Sequence, residues 1–175
     1  TGIDNYYKLS IPNINEAVEF LHLHKDNLAA FIIEPIQQTD PTCKLELLKN
    51  IESVCKDYGI VLIFDEIITG FRYDIGGITP SIGIKPDIIV YGKSVGGGLP
   101  IGITAFTDTI ANTTFLDTSK DIWTGGTFSF NPLTSSAAIA TIKQLENKNY
   151  YKLNLLGDYL RALLNIQGVD TVGTG

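Results

Sequence analysis

Three side chains stand where an apolar run of the sequence stops: Glu34 after residues 28–33, Asp65 after residues 60–64, and Lys93 after residues 86–92. A lysine amine can hold an aldehyde as an imine and can move protons, provided burial or a nearby positive charge lowers its hold on them. A buried Asp is costly unless it meets a positive partner. An acid and a lysine at neighbouring strand ends therefore make a candidate site. Taken singly, two of them have a plainer reading: Asp65 as a helix cap or core ion pair, and Lys93 as a solvated side chain.

The surrounding sequence supplies the elements that would position them. Asn13-Ile14-Asn15-Glu16 reads as a capping box opening a helix through His24, since Asn13 can accept from the Glu16 amide. Residues 28–34 form a short apolar run stopped by Pro35, which suits a strand. Asp40-Pro41 looks like an N-cap followed by proline at the first helical position. Leu45, Leu48, Ile51, Val54, Cys55 and Tyr58 then recur at helical spacing until Gly59. Residues 60–65 and 86–91 are further strands, 101–106 one more, and 132–145 and 151–164 closing helices. Apolar strands without alternation, separated by helices, predict an α/β domain whose sheet is buried on both faces. In such sheets ligands sit beyond the carboxyl ends of the strands.

Composition narrows the function classes. The chain has 175 residues, enough for one domain with a core, and shows no repeat, low-complexity tract or internal boundary. A hydrophobic content of 44% fits a packed globular protein. The net charge of -6 argues against nucleic acid, which rewards clustered Lys and Arg. No apolar run approaches the ~20 residues of a membrane span and no signal peptide opens the chain, so a cytoplasmic protein with small soluble partners is expected. Cys43 and Cys55 read as reduced thiols, and His22 and His24 as surface or packing residues. The chain contains no Met, even at position 1, which suggests an excerpt of something longer.

One look-alike is set aside by spacing. Leu62-Ile-Phe-Asp65-Glu66 resembles an acidic strand that holds magnesium, and Gly92-Lys93-Ser94 the end of a phosphate loop. That loop needs a glycine five residues before Gly92, where Asp87 stands, and the glycines Gly96, Gly97 and Gly98 follow the lysine instead.

Longer blocks carry a specific resemblance. Phe64-Asp65-Glu66-Ile67-Ile68-Thr69-Gly70-Phe71-Arg72 is similar to the signature of class III aminotransferases. So is Lys85-Pro86-Asp87-Ile-Ile-Val-Tyr-Gly92-Lys93-Ser94-Val95-Gly96-Gly97-Gly98-Leu99-Pro100-Ile101-Gly102. Gly125-Gly126-Thr127 leading to Asn131-Pro132-Leu133, and Ile33-Glu34-Pro35-Ile36-Gln37, match in order and spacing. The resemblance implies the large domain of a fold type I transferase dependent on pyridoxal 5'-phosphate: a three-layer α/β sandwich with a mostly parallel central sheet. Residues 1–175 would be part of that cofactor-binding domain, without its N-terminal segment and C-terminal small domain. It implies further that Lys93 is the Schiff-base lysine and that Asp65 pairs with the pyridine nitrogen. Thr127, helped by the Gly126 region, would reach the cofactor phosphate of a neighbouring subunit in a homodimer. Glu66 and Arg72 belong to the signature without a catalytic task of their own.

Departures from the pattern point within the family. Ile68 and Thr39 differ from the Gln and Glu usual in ornithine- and acetylornithine-type members. Asp65-Glu-Ile-Ile-Thr-Gly-Phe-Arg72 and Gly-Gly-Gly-Leu-Pro-Ile-Gly102 look more like glutamate-1-semialdehyde aminomutase, or the aminotransferase domains embedded in larger synthetases. Glu34-Pro-Ile-Gln-Gln-Thr-Asp-Pro41 leans to the embedded kind, and Phe128-Ser129-Phe130 is unusual and could shape the substrate side. Transamination between an amino donor and a keto or aldehyde acceptor is the leading function. An aminomutase, needing no second substrate, is the alternative, and a non-catalytic dimerisation module the third. The chain on its own is expected to be inactive.

Overall fold

The computed structural model describes residues 14–37, 40–114 and 125–173. Asn13 and Thr39, on which the predicted capping box and one departure from the family pattern rest, lie outside them. Helix α1 (Ile14–His24) is followed by strand β1 (Ala30–Ile33), helix α2 (Leu45–Tyr58) and strand β2 (Val61–Glu66). After a four-residue helix α3 (Thr79–Ile82) come β3 (Ile88–Gly92), a 3-10 turn (Lys93–Gly96) and β4 (Gly102–Phe106). Helices α4 (Asp108–Thr114), α5 (Pro132–Leu145) and α6 (Tyr150–Ile166) complete the order.

The sheet runs β1-β2-β3-β4, with β1, β2 and β3 parallel and β4 antiparallel to β3. Parallel neighbours need a crossover. Helix α2 supplies it between β1 and β2. Between β2 and β3 the chain instead crosses through residues 67–87, in which α3 is the sole helix, so turns and side-chain hydrogen bonds hold that crossover.

Helices α1 and α2 seal one face. Ala17, Leu21, Leu47, Leu48, Ile51, Val54 and Cys55 pack with Phe31, Leu62 and Phe64 into the core. The other face is covered only in part among the described residues: Ile32 is 61% exposed, and Val61, Ile63 and Asp65 are half-buried. The non-alternating strands predict burial on both faces. Apolar composition alone cannot tell a covered face from a half-covered one.

Helix boundaries follow local signals with one exception. Gly59 ends α2 in the left-handed region at φ 67, where its lack of a Cβ costs nothing. Asn131 caps α5, accepting from the Leu133 and Thr134 amides at 3.0 and 3.3 Å, with Pro132 in the first turn. Helix α2 is the exception: it begins at Leu45 rather than behind Asp40-Pro41. The Asp40 carboxylate accepts from the Thr42 amide at 3.3 Å and pairs with Lys44 at 2.9 Å, which holds this stretch in a turn and delays the helix. No helix among the described residues is long and apolar enough to cross a membrane.

Candidate active site

Register decides what meets at the carboxyl end of the sheet. Asp65 pairs with Val90 and Glu66 with Tyr91 across β2 and β3, so Asp65 and Lys93 emerge at the same end of adjacent strands. Gly92 pairs with Gly102 on β4, which anchors the chain just before Lys93. A Cβ at Gly92 would lie 3.4 Å from both Ile101 O and Ile67 Cγ2, so the strand end is closely walled.

Lys93 has φ 47, in the left-handed region that side chains other than glycine rarely adopt. Such a backbone costs about 1–3 kcal/mol and persists only where neighbours over-determine it. Those neighbours are the β3–β4 ladder before Lys93 and, after it, the Ser94 hydroxyl donating to Gly70 O at 2.9 Å. Val95 is fully buried, and Gly97 (φ 59) leaves so little room that a Cβ there would meet Thr141 Oγ1 at 2.4 Å, which seats α5 on this turn. Lys93 itself is exposed.

Asp65 is neither a helix cap nor half of an ion pair among the described residues. One carboxylate oxygen accepts from the Ile67 amide at 3.0 Å, a turn closed by the strand's own end. The other takes no hydrogen bond from the described residues. A half-buried carboxylate with one oxygen uncommitted fits a cationic ring nitrogen, and an exposed strand-end amine fits an aldehyde. The donor set therefore suits pyridoxal 5'-phosphate.

The remaining expected site residues lie elsewhere. Gly126 and Thr127 are exposed in the turn before α5, where the Ser129 amide donates to Gly126 O at 2.9 Å. They border an open cavity of about 960 Å³ shared with β4 and α5 residues, and neither Asp65 nor Lys93 lines it. Glu34 is exposed and lines a small cleft of about 40 Å³ towards the start of α2. Arg72 borders a groove of about 530 Å³ with Phe71, Tyr73, Ser94 and α6. Phe130, in the stretch singled out by sequence, stands at φ 54 and is 95% exposed.

Glu66 is the residue that sequence reasoning missed. It is fully buried, on the opposite side of β2 from Asp65. Its carboxylate accepts from Thr69 Oγ1 at 2.9 Å, the Ile78 amide at 2.8 Å and the Thr79 amide at 3.0 Å, and also from the Thr79 hydroxyl. Nearby, the Tyr91 hydroxyl donates to Gly76 O at 3.2 Å, and burial together with the Glu66 charge pushes its phenol up to about 12. The two cysteines are free, and Cys55, buried and beside Asp87, is pushed up to about 11, which leaves it an inert thiol. The signal for Glu66 was its place directly after Asp65, followed by donors well downstream.

Comparison with known proteins adds a second line. The family described as aminotransferase class-III matches residues 4–171. Glutamate-1-semialdehyde 2,1-aminomutase of Methanosarcina acetivorans is 37% identical over 164 residues, covering 91% of this chain and 38% of its own. The enzyme of the same name from Methanocella arvoryzae is 35% identical over 161 residues, covering 90% and 37%. An omega-transaminase from Sphaerobacter thermophilus superposes with a TM-score of 0.82 at 32% identity, covering 93% of this chain and 39% of that one. The chain thus spans well under half the length of these relatives.

Proposed function

We propose a function from one premise: the chain belongs to the class III aminotransferase family. In our reading residues 1–175 are part of the cofactor-binding domain of a transaminase dependent on pyridoxal 5'-phosphate, moving an amino group between a donor and a keto or aldehyde acceptor. The observation that carries it is the pairing of β2 with β3, which brings Asp65 and a backbone-strained Lys93 to one end of the sheet.

When bound, the cofactor supplies an electron sink that acidifies the substrate's α-carbon. Lys93 Nζ would bond its aldehyde carbon, and once released would carry the proton at the substrate's α-carbon. The Asp65 carboxylate would keep the pyridine nitrogen protonated, since a negative partner favours the charged form. The Thr127 hydroxyl and the Gly126 backbone would serve the phosphate in a neighbouring subunit, making the protein a homodimer. Their place on a cavity that neither Asp65 nor Lys93 lines supports that division of labour. A cytoplasmic protein acting on small molecules follows from the same reading.

The relatives named glutamate-1-semialdehyde 2,1-aminomutase favour a second reading, an isomerase in which both half-reactions occur on one skeleton. Product formation that needs an added amino donor selects the transaminase; formation without one selects the aminomutase.

The primary test is to incubate the full-length protein with pyridoxal phosphate, reduce with borohydride and locate the adduct by peptide mass spectrometry. Selective labelling of Lys93 among the eleven lysines of residues 1–175 is expected. Labelling without preference for Lys93 overturns the reading.

A further inference from the structure

The crossover between β2 and β3 has no long helix to stiffen it, yet it begins beside the lysine whose position matters most. Its ties are few and specific. The Gly70 amide donates to the Glu66 backbone carbonyl at 2.7 Å, and Gly70 O accepts from the Ser94 hydroxyl at 2.9 Å. One glycine thus links the last residue of β2 to the residue after Lys93. A Cβ at Gly70 would lie 2.6 Å from both Glu66 O and Tyr91 Cδ1, so the backbone approaches as closely as it can. Further along, the Glu66 carboxylate holds Thr69, Ile78 and Thr79, and a Cβ at Gly77 would lie 2.0 Å from Glu66 Oε2.

We propose that Glu66 is a positioning residue for Lys93, acting through residues 67–79 and the Ser94 hydroxyl. The proposal rests on the reading of Lys93 as the cofactor-bonding amine. Lys93 keeps its left-handed backbone only while both flanks are held, and the downstream flank is held by Ser94 on a segment that Glu66 pins. The task requires a carboxylate. Ile78 N and Thr79 N donate to different oxygens of Glu66, and neither amide can reverse its role as a hydroxyl can. A glutamine would turn an NH2 towards one of them whichever way it lay. The sequence pair Asp65-Glu66 then has a division of labour: Asp65 on the open side towards the cofactor, Glu66 on the closed side setting the lysine.

The test uses the full-length protein, freed of cofactor, as wild type, Glu66→Gln, Ser94→Ala and the double variant. Two quantities are measured: the dissociation constant for pyridoxal phosphate, and the pH profile of Lys93 labelling by pyridoxal phosphate and borohydride. Each single variant is expected to weaken cofactor binding about three- to tenfold and to move the pH midpoint of Lys93 labelling. The double variant should match the stronger single one, because the two act in series. Wild-type affinity and pH profile in the variants, even with a lower melting temperature, would reduce Glu66 to a folding role and overturn the proposal. Additive effects would overturn it too. If Glu66→Gln does not fold, Ser94→Ala decides alone by the same two readouts. Wild type that does not label Lys93 selectively overturns the function reading itself, whereas unchanged variants beside a labelled wild type overturn only this inference.

Discussion

Residues 60–106 and residues 125–173 keep their shapes by different means. In the first stretch long-range ties join the local turns: strand ladders, the Ile78 and Thr79 amides on Glu66, Tyr91 to Gly76, Ser94 to Gly70. In the second, local signals prevail. Asn131 and Asn149 cap α5 and α6, and α6 has no buried residue at all. Its Tyr151, Leu156 and Ile166 are 73%, 63% and 77% exposed. The contrast is between a stretch whose turns are fixed by residues distant in sequence and one whose helices are bounded by their own caps.

The largest expected effect tests whether the strain at Lys93 serves function. Lys93→Gly in the full-length protein should lower turnover by at least about 10³-fold, the scale of losing a positioned acid-base group. It should at the same time leave the melting temperature unchanged or raised, since glycine adopts φ 47 freely. A clear fall in melting temperature would mean that the lysine side chain holds the fold instead.

Next in size is Gly77→Ala. At φ 81, with a Cβ placed 2.0 Å from Glu66 Oε2, it must displace the carboxylate that gathers the crossover. A loss of about 3 kcal/mol or more by urea unfolding is expected, from backbone strain together with hydrogen bonds to a buried charge. A loss below about 1 kcal/mol would show the crossover to be loosely held, erasing the difference between the two regions.

Alkaline titration probes the same contrast more gently. Tyr91 and Cys55 both have raised values in the fold, about 12 and about 11, against ordinary values of 10.0 and 9.0. Below pH 9 both groups are protonated whether folded or not, so they add no pH dependence. Above it the unfolded chain releases protons first, and stability should fall from pH 9 to about 11 through Cys55 and from 10 to about 12 through Tyr91. Tyr91→Phe should flatten the upper part of that decline in unfolding titrations, and an unchanged slope would exclude Tyr91 as its source.

The smallest effects belong to the second region. Asn131→Ala should cost about 1 kcal/mol through loss of the α5 cap. Leu156→Ala, on an exposed face of α6, should change the stability of residues 1–175 by less than about 0.5 kcal/mol. Calorimetry on the pair ranks the two; a larger loss at Leu156 would mean that α6 is held by packing after all.

The sequence by itself determined the elements whose signals are local. Proline and asparagine opened α5 where expected, glycine closed α2, and apolar runs became β1, β2 and β3, with β2 running on through Asp65 and Glu66. It also determined that Asp65 and Lys93 stand at or next to strand ends, because each follows an apolar run. Only the tertiary structure decided the rest. The exposure of Lys93 depends on which elements cover it, and the left-handed backbone there on hydrogen bonds made by neighbours. Above all, nothing in the sequence says which donors the adjacent acids Asp65 and Glu66 each meet. A strand turns alternate side chains to opposite faces, and only the fold reveals that the donors for one of them return from Thr69, Ile78 and Thr79.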